Sequence, residues 1–159
     1  LSALMHALNK RGLWSAARGA NLLDGGTPFY RCYRCRDGKF VAVGALEPRF
    51  YAALIAGLGL APEEAVQHDV AGWAKLQARF EALFLSRDRD DWATHFAGTE
   101  ACVTPVLDMA EARAHPHNTA RATFDGGGLP APAPRFDDAT APNAPARATT
   151  LADIHKAWC

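Results

Sequence analysis

The sequence predicts an α+β fold: a small antiparallel sheet with helices, flanked by a leading helix and a proline-rich trailing segment. Three observations carry this. Two runs rich in aromatic and β-branched residues, 29–35 and 39–45, enclose Asp37-Gly38, a dipeptide suited to a tight hairpin turn. Apolar residues recur at helical spacing on both sides of that hairpin. Beyond residue 128, Pro130, Pro132, Pro134, Pro142 and Pro145 interrupt any regular element.

Taken in chain order, residues 1–17 predict a helix, with Leu1, Leu4, Met5 and Leu8 on one face and Leu13 and Trp14 extending it across Gly12. Residues 18–28 form a loop around Gly25-Gly26. The hairpin follows, and its second run is apolar enough at 40–43 to lie inside a sheet. Glu47-Pro48 opens a helix, because a proline at the first helical position gives up an N–H that has no intrahelical partner anyway. Phe50, Tyr51, Leu54, Ile55 and Leu58 are its apolar stripe, and Gly57 and Gly59 end it. A second helix over 72–86 presents Trp73, Leu76, Phe80, Leu83 and Phe84. A third begins at Asp88, where Asp91 imitates a capping box, and is anchored by Trp92 and Phe96. Residues 101–107 predict a short strand. Asp108 with Glu111 is a better capping box for a short helix that Pro116 stops. The segment 130–148 reads as an extended strap, and 150–158 as a last turn or two of helix around Leu151, Ile154 and Trp158.

Composition narrows the function classes. The chain has 159 residues, 17 Lys plus Arg and 17 Asp plus Glu, so its formal net charge is zero. That balance gives no electrostatic reason to expect nucleic acid or an anionic membrane as partner. Hydrophobic residues make up 49% and charged residues 21%, which excludes wholesale disorder. No apolar run approaches the roughly 20 residues of a membrane span. The length suits one domain, yet the chain starts at Leu1 without an initiator Met or a signal-peptide pattern, and is expected to be part of something longer. Cys32 and Cys35 are spaced C-x-x-C, but three residues apart on a strand they face opposite sides, and Cys102 and Cys159 are isolated. No metal site is expected, and the lack of a disulfide framework fits a reducing cytoplasm.

No self-sufficient catalytic motif is present: no P-loop, no G-x-G-x-x-G after a strand, no G-x-S-x-G elbow, no H-E-x-x-H. Three features invite two readings each. Glu47 sits at a strand-to-helix junction, at the end of the helix where negative charge is favoured. It is either a surface acid helping the helix start, or a carboxylate that orients a catalytic imidazole. Gly25-Gly26 is either a tight turn or a loop that approaches a ligand closely. His115-Pro-His117 is either a pair of cations at a helix end or half of a metal site.

Several stretches together resemble the α-methylacyl-CoA racemases of the family III CoA-transferase superfamily. They are RGANLLDGGTPFY at 18–30, DGKFVAVGALEPRFY at 37–51, GLGL at 57–60, RDRDDW at 87–92, ACVTPVL at 101–107, AHPH at 114–117 and PAPRF at 132–136. The resemblance implies a homodimeric enzyme whose subunits each carry a large Rossmann-like domain and a smaller α+β domain. On that basis residues 1–22 connect to the large domain, 23–128 form the small domain and 129–159 return to the large one. It also implies an acyl-CoA substrate, no added metal or redox cofactor, and partners consisting of the large domains of both subunits. The implied reaction inverts the α-carbon of a 2-methylacyl-CoA through an enolate, using a His, assisted by a Glu, and an Asp. The His and Asp have no counterpart here, whereas Glu47 matches the assisting acid. Leu23, Tyr30 and Leu46 fall on the implied wall of the acyl pocket, and Gly25 and Gly26 on a loop near the active site. Thr27, Arg49 and the two hairpin cysteines depart from the usual pattern, and an ion pair of Arg49 with Glu47 would compete with the imidazole. The rival expectations are a sister CoA-transferase using a nucleophilic Asp, and a non-catalytic interaction module.

Overall fold

The computed structural model describes residues 2–133 together with 150, 152 and 156. The chain divides into two compact units, Leu1–Val106 and Leu107–Cys159.

The first unit is built on a three-stranded antiparallel sheet in the order β1 (Tyr30–Arg34), β2 (Phe40–Gly44), β3 (Val103–Pro105). The hairpin register pairs Tyr30 with Gly44, Cys32 with Ala42 and Arg34 with Phe40; β3 continues it through Ala42 opposite Thr104. Alternation along the strands then sorts the side chains. Tyr33, Val41, Val43 and Val103 are buried on one face, while Cys32, Phe40 and Thr104 are exposed on the other. Cys35, just past β1, is buried, so the two cysteines of the C-x-x-C lie on opposite sides.

Three helices supply the core on the buried face: α2 (Pro48–Gly57), α3 (Trp73–Phe84) and α4 (Arg89–Phe96). Tyr51, Leu54 and Ile55 of α2 and Leu76, Phe80 and Phe84 of α3 are buried, as their spacing predicts. Aromatic rings dominate the packing. Tyr33 stacks on Phe84 with centroids 4.9 Å apart, Phe84 meets the edge of Trp92 at 5.1 Å, and Phe29 contacts Tyr51 at 5.5 Å and Trp73 at 5.8 Å.

Four sequence expectations change. The helix over 1–17 is shorter: α1 spans Ser2–Lys10 and ends where Gly12 takes φ +69°, a left-handed angle that closes the turn through a hydrogen bond from Leu13 N to Leu8 O. Its stripe is only half-buried at Met5 and Leu8, and Leu4 is exposed. Asp88 is the N-cap of α4, but its side chain makes no cap bond, because it pairs with Arg36 instead. The strand expected at 101–107 is reduced to three residues.

In the second unit, α5 (Met109–Ala114) is opened by a complete capping box, with Asp108 accepting from Glu111 N and Glu111 from Asp108 N. Pro116 ends that helix as expected, and also starts α6 (Pro116–Ala120), the fourth change. Phe124 and Pro130 form an isolated antiparallel bridge. Most of the expected strap at 130–148 and terminal turn at 150–158 lies outside the described residues.

Candidate functional site

The helices cover one face of the sheet and leave a hollow of about 640 Å³ on the other. The register aligns small residues on its floor, Cys32 with Ala42 and Thr104, and sets Gly44 opposite the larger Tyr30. Leu23 and Gly25, from the loop before β1, form part of its rim, and Cys102 adds a thiol.

The loop is held by a local polar knot. Asn21, 7% exposed, donates from Nδ2 to Asp24 Oδ2 (2.7 Å) and to Ser15 O (3.0 Å), and accepts from Ser15 N at Oδ1 (2.8 Å). The bond from the Asn21 side chain, followed by backbone N–H groups of Asn21, Gly26 and Ala20, holds the Asp24 carboxyl below its ordinary range against the opposing effect of burial. The two glycines have different reasons to be glycine. Gly25 has φ +92° and open space around it, and lines the hollow. Gly26 packs against its own chain, where a Cβ would lie 2.6 Å from Asn21 N and O, and is absent from the lining.

At the other end of β2 the chain leaves the sheet through a sharp bend. Leu46 N donates back to Gly44 O at 3.0 Å, and Ala45 N donates to Phe29 O at 2.9 Å. Glu47 follows as N-cap of α2, with φ −75° and ψ 144°. Pro48 favours that extended backbone, since its ring crowds a preceding residue in the helical region. The Glu47 side chain is exposed and makes no cap bond. Among the described residues it has no hydrogen bond or ion pair. Arg49, the expected competitor, instead lies 3.8 Å from Glu100 Oε1 and over the Phe50 ring. The charge of Glu47 is felt at Cys102, whose thiol is pushed up by burial first and then by Glu47 and Glu100. Glu47 itself is not among the residues that line the hollow, whereas Cys102 is.

Of the residues singled out from sequence, Leu23, Gly25 and Tyr30 line the hollow. Leu46 does not; it is half-buried and packs against the core. Three residues escaped sequence reading. Cys102 has φ +52°, unusual for a residue with a Cβ, which turns the chain into β3 and brings its carbonyl to Gly44 N. Thr104 follows from the register alone. Gln67, 8% exposed, donates to Leu46 O at 2.8 Å and to Ala45 O at 3.4 Å. Nothing in the local pattern marks a loop glutamine as buried. Among the described residues no group of three or more His, Cys, Asp or Glu is gathered as a metal site, and no helix is long and apolar enough to cross a membrane. His115 is at once the C-cap of α5 and the N-cap of α6, and His117 is the second residue of α6.

The alpha-methylacyl-CoA racemase of Mus musculus is 47% identical to this chain over 137 residues, 84% of this chain and 36% of that protein. The Homo sapiens alpha-methylacyl-CoA racemase is 46% identical over 125 residues, 78% of this chain and 33% of that protein. A CaiB/baiF CoA-transferase family protein of Caenorhabditis elegans is 40% identical over 103 residues. The chain thus spans about a third of the length of the curated relatives it matches. The model of CoA-transferase family III matches residues 2–151, which include every element described above, and the chain belongs to that family.

Proposed function

We propose that this chain serves as one part of a racemase that inverts the α-carbon of 2-methylacyl-CoA thioesters. The observation that carries the reading is the 47% identity to a named racemase over 84% of the chain. In the proposed reaction a base removes the α-proton, and the electron pair left behind delocalises onto the thioester carbonyl as an enolate. An acid on the opposite face then returns a proton to carbon, so nothing is consumed and only configuration changes. The resemblance assigns these two roles to a His and an Asp that these 159 residues do not contribute, and gives Glu47 the task of stabilising the imidazolium. Supporting this role, the Glu47 carboxylate is exposed and uncapped at a stiff junction, instead of being used up by its own helix. The hollow, with Leu23, Gly25 and Tyr30, is the surface against which the acyl chain packs, and Gly26 shapes the loop. Leu46 supports that wall from the core side. The proposed protein is a homodimer of fatty-acid metabolism in the cytoplasm, and needs no group beyond the CoA of its substrate.

The test is incorporation of deuterium at the α-carbon of a single-enantiomer 2-methylacyl-CoA by the whole protein carrying this chain. Exchange with racemisation is the expected result; no exchange overturns the reading. The Caenorhabditis elegans relative favours a second reading, transfer of CoA between carboxylic acids. That reaction would move label from a free carboxylate into the thioester without α-exchange.

A further inference from the structure

We infer that Gln67 is a positioning residue for the Glu47 carboxylate. The inference rests on the assisting role proposed for Glu47 and adds a residue that the family reading does not contain.

Where β2 ends, the carbonyls of Ala45 and Leu46 leave the sheet without a strand to pair with. Gln67 Nε2 satisfies both, at 3.4 and 2.8 Å. The Leu46 carbonyl belongs to the same planar peptide unit as Glu47 N, so holding its oxygen holds the plane from which the Glu47 side chain departs. Pro48 restricts Glu47 from the other side, as its extended ψ of 144° records. The acid is thus gripped at both neighbours while its own side chain remains unengaged. Gln67 is itself anchored. It is 8% exposed, its carbonyl accepts Trp73 Nε1 at 2.8 Å, and Tyr51 Oη donates to Ala65 O at 2.8 Å two residues earlier. A buried amide whose donors go to the two carbonyls preceding an exposed acid costs desolvation that a core residue of the same volume would avoid. What the amide supplies and an apolar residue cannot is a fixed direction for that peptide plane.

The experiment follows α-proton exchange in the whole protein with Gln67→Met, Gln67→Glu, Glu47→Gln and the Glu47→Gln/Gln67→Met double variant. Methionine keeps the volume and removes the donor. It is expected to lower kcat roughly 10- to 100-fold, the scale of a small misplacement at an active site, with KM nearly unchanged. Combined with Glu47→Gln it should add nothing, because both substitutions remove the same contribution. Glutamate at 67 can donate only when protonated, so its rate relative to the parent should rise as pH falls from 8 to 6. An unchanged kcat for Gln67→Met, or a loss that adds in full to that of Glu47→Gln, overturns the inference and leaves the role of Glu47 standing. If Gln67→Met does not fold, a flat pH ratio for Gln67→Glu overturns it. If Glu47→Gln alone leaves turnover unchanged, the assisting role fails and this inference falls with it.

Discussion

Gly57 lies against Phe96 so closely that a Cβ at position 57 would sit 2.3 Å from Phe96 Cε1. The absence of a side chain at the end of α2 is therefore a packing requirement of α4. Gly57→Ala would gain helix propensity, yet it must displace a ring that is 4% exposed. The net expectation is a loss of about 1–3 kcal/mol, the usual cost of overpacking. A denaturant midpoint equal to or above that of the parent chain would show that the ring moves aside freely.

The same pair shows what a sequence can and cannot disclose. Gly57 was legible as a helix end from its spacing, but not as the partner of Phe96, because a contact across 39 positions leaves no local pattern. The hairpin, α2 and α3 were legible because their apolar periods match the faces they bury, and the two hairpin strands depart from expectation by one residue at each end. Asp88 failed as a capping box for a tertiary reason: Arg36 Nε reaches it at 2.9 Å from the hairpin turn, and an ion pair wins the carboxylate from the helix. Of the residues that line the hollow, Gly25 was legible from the glycine pair itself, and Leu23 and Tyr30 only from the family resemblance. Gln67 and Thr104 were not legible, because one is a buried loop amide and the other depends on register.

Alkaline pH should weaken the first unit. Burial pushes the Tyr51 phenol up to about 12 and raises that of Tyr33 further. The folded chain keeps a proton that the unfolded chain releases near pH 10, so the contribution is complete below about 10 and is lost as pH rises toward 12. For Tyr51 this amounts to about 2 kcal/mol at the upper limit. Tyr51→Phe should cost about 1 kcal/mol at neutral pH through the lost bond to Ala65 O, and flatten the alkaline slope. Denaturant midpoints measured from pH 8 to 12 decide this; parallel slopes for the two chains would count against it.

The three described cysteines should alkylate in a fixed order. Cys32 is exposed, whereas burial, followed by the charge of Asp37, pushes the Cys35 thiol up to about 11. At pH 8 about one Cys35 in a thousand would be thiolate, and it is buried as well. Iodoacetamide should label Cys32 first, Cys102 more slowly, and Cys35 only in denaturant. Glu100→Gln removes one of the carboxylates that disfavour the Cys102 thiolate and releases Arg49 from its partner, so labelling of Cys102 should speed up. Peptide mass spectrometry reads each site, and early labelling of Cys35 would contradict the packing described for it.

Asp108→Ala tests the second unit. With only six residues, α5 depends on its cap more than a long helix would, and the substitution removes the acceptor for Glu111 N at 2.8 Å. A loss of about 1 kcal/mol in local stability is expected. It should be visible as faster hydrogen exchange at the Glu111 amide while amides of β2 are unaffected. Unchanged exchange at Glu111 would mean that the box closes without holding the helix.

Glu47→Gln tests the site most directly. The amide keeps the shape of the side chain at a junction that Pro48 holds extended, so acyl-CoA binding should change little. What disappears is a negative charge that would favour the protonated form of an imidazole. In the whole protein, turnover should fall roughly 10- to 1000-fold, within the range that positioned acid–base groups supply. The pH profile gives a second sign. Without the carboxylate the imidazolium loses its proton more readily, so the limb of the profile that reports this group should move to lower pH. Glu47→Asp keeps the charge but withdraws it by one methylene, and should fall between Gln and the parent. A turnover within about twofold of the parent for Glu47→Gln, with no movement of the profile, would return Glu47 to the reading of a surface acid at a helix start.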